Sequence, residues 1–168
     1  MRKKDLFVLS LVAVLMMLAV PASAAGRVEF RANGGDLGYP DPGPDPSSVV
    51  VGGNWNMRVA EGDVDFRLSY REMNLIPEVE GGAPAGSVDH FWMSMVEVYG
   101  VDVGTGGCWV YGRFNVDKLA WMPEGSNPPI RRVCNFLGYQ DGWVHASSDG
   151  FELVAGPWHL VGSTTSLK

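Results

Sequence analysis

The chain has 168 residues, with 19 acidic against 13 basic side chains and a formal net charge of −6 at pH 7. That field repels phosphate backbones and anionic lipid surfaces, so a nucleic-acid partner is disfavoured. Hydrophobic residues make up 46 % of the sequence, enough to fill one domain core of ordinary size.

The first residues read as an export leader. Arg2, Lys3 and Lys4 form a basic start, Leu6 to Val20 is an apolar run broken only by Ser10, and Ala22-Ser23-Ala24 is the small-x-small pattern cut by signal peptidase. A stretch of fifteen residues falls short of the ~20 a membrane helix needs, and no second long apolar run follows. The expectation is a signal peptide over 1–24 and a secreted or extracytoplasmic protein with no transmembrane segment after cleavage. The leader carries a net +2, so the remainder carries −8 over 144 residues.

Residues 25–48 read as a short strand, Val28 to Arg31, followed by a tether rich in Pro, Gly and Asp. Prolines at 40, 42, 44 and 46 remove ladder donors and fix φ, which excludes a helix or a central strand. Asp36, Asp41 and Asp45 lack the dense oxygen spacing of a calcium loop and read as an exposed acidic linker.

Residues 49–168 read as one β-rich domain. Val64, Phe66, Leu68 and Tyr70 alternate with Asp65, Arg67, Ser69 and Arg71, the period-two signature of a half-buried antiparallel strand. Trp55, Met57 and Val59 supply its partner, with the turn at Glu61-Gly62-Asp63. Phe91, Met93 and Met95 alternate with Trp92, Ser94 and Val96, so both faces are apolar and a central strand covered on either side is expected. Cys108, Val110, Phe114 and Val116 share a face of the next strand, and Asp117 to Met122 reads as a helical turn. Strands are expected at Val133 to Phe136, Trp143 to Ala146, Phe151 to Val154 and Trp158 to Val161. Turns every eight to twelve residues point to an all-β fold, an antiparallel sandwich or a partly closed barrel built from hairpin meanders. The expected core includes Trp55, Phe66, Leu68, Met93, Val96, Val110, Phe114 and Leu153.

Cys108 and Cys134 are the only cysteines. In an exported chain an even pair reads as one disulfide, with about 3.5 kcal/mol of chain-entropy stabilisation from a loop of about 26 residues. Gly-x-Trp occurs at Gly53, Gly107 and Gly156, which suggests a local rule: glycine leaves a turn and tryptophan opens the next buried strand. The first copy resembles the Gly-x-Trp opening of lipocalin and avidin-type barrels, which implies a small-ligand carrier as one alternative.

Chemistry is sparsely signalled. His90, His145 and His159 show no close metal-binding spacing, so neither metal nor cofactor is expected. No Gly-x-Ser-x-Gly elbow or phosphate loop exists. Asp89-His90, or Asp89 paired with Glu97 or Glu152, would serve a secreted hydrolase, the second alternative. The leading reading is a non-catalytic extracellular module for an unidentified ligand or protein partner. Trp92, Trp109, Tyr111 and Trp143, with Trp121, are its candidate contact residues because aromatic rings give large contact area at low entropy cost. The leader, the meander, SVDHFWMSM and the closing SSDGFELVAGPWHLVGSTTSLK together resemble uncharacterised strand-meander domains of exported prokaryotic proteins. That resemblance implies a fold and no site residues.

Overall fold

The computed structural model describes residues 28–40, 48–75, 85–121 and 132–168. The expected leader, Asp41 and Asp45 lie outside these residues. Eight antiparallel strands close into a barrel in simple chain order, β1 to β8, with β8 returning to β1. They are β1 (Val28–Gly38), β2 (Ser48–Ala60), β3 (Asp63–Asn74), β4 (Val88–Val103), β5 (Gly107–Trp121), β6 (Arg132–Ser147), β7 (Gly150–Ala155) and β8 (Trp158–Leu167). The fold is therefore all-β and closed.

The β2–β3 hairpin follows the alternation in the sequence. Trp55 lies opposite Leu68 and Met57 opposite Phe66. Glu61 and Gly62 both have positive φ, 52° and 83°, the geometry of a two-residue turn whose twist matches the strands it joins. One end of the barrel carries this turn, that at Gly104 to Gly106 and that at Ser148-Asp149. The connections through 41–47, 76–84 and 122–131 leave from the opposite end, which we call the mouth.

Eight strands enclose a lumen just wide enough for side chains to fill, and here they fill it. Trp55 stacks on Phe151 at 4.5 Å, Phe66 meets Phe114 edge-on at 5.7 Å, and Tyr70 stacks on Phe91 at 4.8 Å. Around them Met57, Met93, Val110, Val144, Leu153 and Leu160 are buried. Of the expected core, only Val96 is misplaced. It stands exposed at a β-bulge, where the β4–β5 register jumps between Met95 and Glu97 and the alternation breaks.

Several other expectations are corrected. The strand at Val28 runs to Gly38 and pairs with both β2 and β8, so the first glycines belong to the barrel wall. Gly34 is required there. A Cβ on it would lie 1.8 Å from the Ser163 carbonyl oxygen, and the Trp55 indole N–H uses the vacant space to donate to that oxygen at 3.0 Å. Residues 117–121 are strand rather than helical turn, because they pair residue by residue with β6. β4 is not covered on both sides; Trp92 and Val98 on its course are exposed.

The expected disulfide is absent. Cys108 and Cys134 are both free thiols, the first buried and the second exposed. Cys134 lies opposite Leu119, eleven residues along β5 from Cys108. At ~3.3 Å per residue that is about 36 Å, against the ~7 Å limit for bridging. Burial, helped by the charges of Asp102 and Glu29, pushes the Cys108 thiol up to about 11. A thiol reagent at pH 8 is therefore expected to modify Cys134 alone in the native protein and Cys108 only after denaturation. Two thiols that react only after reduction would restore the bridge.

The Gly-x-Trp rule fails as well. Among these three glycines only Gly156 has positive φ. Gly53 lies within β2, and Trp109 points outward while Trp55 points into the lumen.

Candidate functional site

A barrel strand sends successive side chains to opposite faces, so each candidate residue belongs either to the lumen or to the outer wall. Asp89 is buried with Phe91 and Met93 on the lumen side. His90 stands on the outer wall with its ring 5.9 Å from that of Trp92. Asp89 and His90 therefore do not form a dyad. Glu97 and Glu152 are on the outer wall too, so neither pairs with Asp89 across a substrate.

The outer wall is divided. Across β1 to β3 it presents Arg31, Asn54, Asn56, Arg58, Asp65 and Arg67, all exposed. Across β5 and β6 the wall is aromatic. Register places Trp109 opposite His145 and Tyr111 opposite Trp143. The Trp109 ring stacks on His145 at 4.1 Å, meets Trp143 at 4.9 Å and runs parallel to Tyr111 at 6.4 Å. Tyr111 is 46 % exposed and the other three are half-buried. Three of the four candidate aromatics are thus brought together. Trp92 is not; it lies opposite Asp117, eight residues along β5 from Trp109, beside a separate groove of about 380 Å³ between β3, β4 and β5. Trp121 belongs to β5.

Polar groups frame the aromatic patch. Asp102 lies opposite Trp109 on β4, and Glu152 opposite His145 on β7. Glu152 binds the His159 ring nitrogen at 2.7 Å. An open groove of about 380 Å³ continues from His145 past Glu152 to Val161. Next along the wall, Arg113 donates to Asp141 at 2.9 Å and lies 3.4 Å from Glu97, while the Tyr99 hydroxyl donates to Asp141 at 2.8 Å. The Arg113 and Tyr99 hydrogen bonds hold the Asp141 carboxyl below its usual range. Contact with solvent keeps this network energetically modest.

The second polar locus is the lumen at the mouth. Glu72 lies opposite Asp89 on β3 and β4, both on the inner face. Two carboxylates so placed repel, and each is held by a partner. Lys118 Nζ lies 2.8 Å from Asp89 Oδ2 and 5.1 Å above the Phe91 ring, while the Tyr39 hydroxyl donates to Glu72 at 2.9 Å. Asp89 Oδ1 and Ser48 Oγ are buried without a hydrogen-bond partner among the described residues. Burial, with Tyr39 and Glu72 adding to it, raises the Tyr70 phenol above its ordinary range, so it stays protonated. Neither Lys118 nor Tyr39 is distinguished by sequence, since a single Lys in an alternating strand reads as an outer-wall residue. Among the described residues no group of His, Cys, Asp or Glu is arranged to hold a metal ion. No helix there is long and apolar enough to cross a membrane.

No protein-family model, curated protein or solved structure matches the chain.

Proposed function

We propose that the protein is an exported, non-catalytic binding module that engages a neutral glycan on the outer wall of β5 and β6. The observation that carries this reading is the patch in which Trp109 meets Tyr111, Trp143 and His145 on the outer wall of a barrel whose lumen is already filled by side chains. Aromatic rings offer apolar contact to the C–H faces of a sugar. Asp102 and Glu152 flank the patch as hydroxyl acceptors, and the groove beyond His145 extends the contact. The chain's negative charge turns away acidic polymers. A packed lumen gives a lipocalin-like carrier little support, and the opposite facing of Asp89 and His90 gives a hydrolase dyad little. Both points favour the module.

Titration of soluble neutral glycans against tryptophan fluorescence tests the reading. The wild type should show saturable quenching, and Trp109→Ala should weaken binding by about thirtyfold, as for a central aromatic anchor. Trp92→Ala, remote from the patch, should bind as wild type. Saturable binding that Trp109→Ala and Trp143→Ala leave unchanged would overturn the site, and no response across the glycan set would overturn the ligand class.

A further inference from the structure

Lys118 and Asp89 meet inside the barrel, away from the water that surrounds most ion pairs. Lys118 Nζ lies 2.8 Å from Asp89 Oδ2, with 21 % and 4 % of the two side chains exposed. The floor beneath them is aromatic. The Lys118 ammonium sits 5.1 Å above the Phe91 ring, and Phe91 stacks on the fully buried Tyr70. Glu72 stands opposite Asp89 on β3 and accepts a hydrogen bond from the Tyr39 hydroxyl. As an arrangement of charge this is poor. Two carboxylates share one ammonium, and Asp89 Oδ1 is buried with no hydrogen-bond partner among the described residues, a costly state for an ionised oxygen. As an arrangement for condensation it is complete. It holds an amine nucleophile, a carboxyl carbon and a neighbouring acid–base group in a largely dry pocket.

We infer that Lys118 and Asp89 become joined by a side-chain amide after folding, with Glu72 as the proton carrier. One proton first crosses the 2.8 Å contact from Nζ to Oδ2, which leaves a neutral amine beside a neutral carboxyl group. The C–O bond adds about 1.2 Å to that contact, so Nζ lies within about 4 Å of Asp89 Cγ, close to the ~3–3.5 Å of a near-attack pair. The nitrogen lone pair attacks Cγ, the C–N bond forms and the carbonyl pair moves onto oxygen. The Glu72 carboxylate takes a proton from the nitrogen and returns it to the hydroxyl oxygen. The C–O bond then breaks and water leaves. Amine and acid thus become amide and water, with nothing oxidised or reduced and no co-reactant consumed. The product carries neither charge of the pair, so the buried site no longer holds an ionised Asp89. The ion pair is the first state of the folded chain, and the amide is its matured one. The event occurs once per chain and fastens β4 to β5 at the mouth, a covalent tie that reduction does not open, in a barrel whose two cysteines are free. It is independent of the glycan reading, because the pair lies in the lumen and the aromatic patch on the outer wall.

Mass spectrometry of the purified, denatured chain tests this. The wild type should weigh one water less than its sequence requires, and digestion should release a branched peptide that joins the segments of Lys118 and Asp89. The branch locates the loss, since Asp141-Gly142 and Asp149-Gly150 can shed water by cyclising on their own backbone. Glu72→Gln keeps the lysine, the aspartate and the shape of the third side chain. It should retain the wild-type circular dichroism and form the amide about a hundredfold more slowly, the loss expected for a general acid–base group. Lys118→Arg keeps the positive charge, has no lysine amine and should keep its full mass. A folded wild type that yields no branched peptide after prolonged incubation would overturn the proposal. A Glu72→Gln chain that joins as fast as the wild type would overturn the part given to Glu72.

Discussion

Trp55→Ala is expected to destabilise the protein by about 4 to 5 kcal/mol, the upper range for removing a large aromatic from a packed core. Trp55 is 1 % exposed, stacks on Phe151 and hydrogen-bonds the Ser163 carbonyl across β1. Alanine removes the ring from the centre of the lumen and leaves that carbonyl without its indole donor. Because Trp55 stands on β2 and Ser163 on β8, the indole also ties together the strands on either side of β1. Trp55→Phe separates the contributions. It keeps most of the ring volume and loses the hydrogen bond, so it should cost about 1 to 3 kcal/mol. Denaturant unfolding reads both values, and a Trp55→Ala loss below about 1 kcal/mol would mean that the lumen does not close around the ring.

The second large effect is expected at the mouth. Lys118→Met should cost about 3 kcal/mol, below the top of the range for breaking a buried ion pair because Lys118 is itself 21 % exposed. The loss comes from what remains. Asp89, with only 4 % of its side chain exposed, would face Glu72 with no cation beside it among the described residues. Adding Asp89→Asn to Lys118→Met removes the stranded charge and should recover more than half of the loss. The double-mutant cycle decides the matter: additive effects would show that the two side chains do not interact in solution.

Much of the fold is legible in the sequence because a strand with one wet face writes its register into the order of residues. Trp55 to Tyr70 is the clearest case, and the run from Cys108 to Val116 gives its lumen side correctly. Legibility fails where a local pattern has a distant cause. Asn33 to Gly38 reads as loop because glycines and an aspartate crowd it, yet Gly34 is there for Trp55, twenty-one residues on. The cysteines read as a bridge because sequence counts residues between them. Pairing of β5 with β6 sends them to opposite ends of one hairpin. The apolar second face of β4 reads as covered core, whereas bulges at Val96 and Tyr99 turn part of it to the surface. The aromatic candidates were identifiable by type. That three of them meet, and Trp92 does not, depends on cross-strand register. Lys118, Tyr39 and Glu72 carried no signal, since cross-strand register, and not any local pattern, brings Glu72 and Lys118 to Asp89.

The seam between β1 and β8 has a consequence in time. Seven of the eight strand pairings join neighbours in sequence, and hairpins of that kind form in microseconds. The eighth sets Gly34 against Thr164, so almost the whole chain must be present before it can form. Loop-closure entropy is largest for this step, and such non-local pairing places β-rich folds in the millisecond-to-second range. Until it forms, β1 and β8 are open sheet edges. The Gly34–Trp55–Ser163 contact spans that seam and fastens the two edges once they meet.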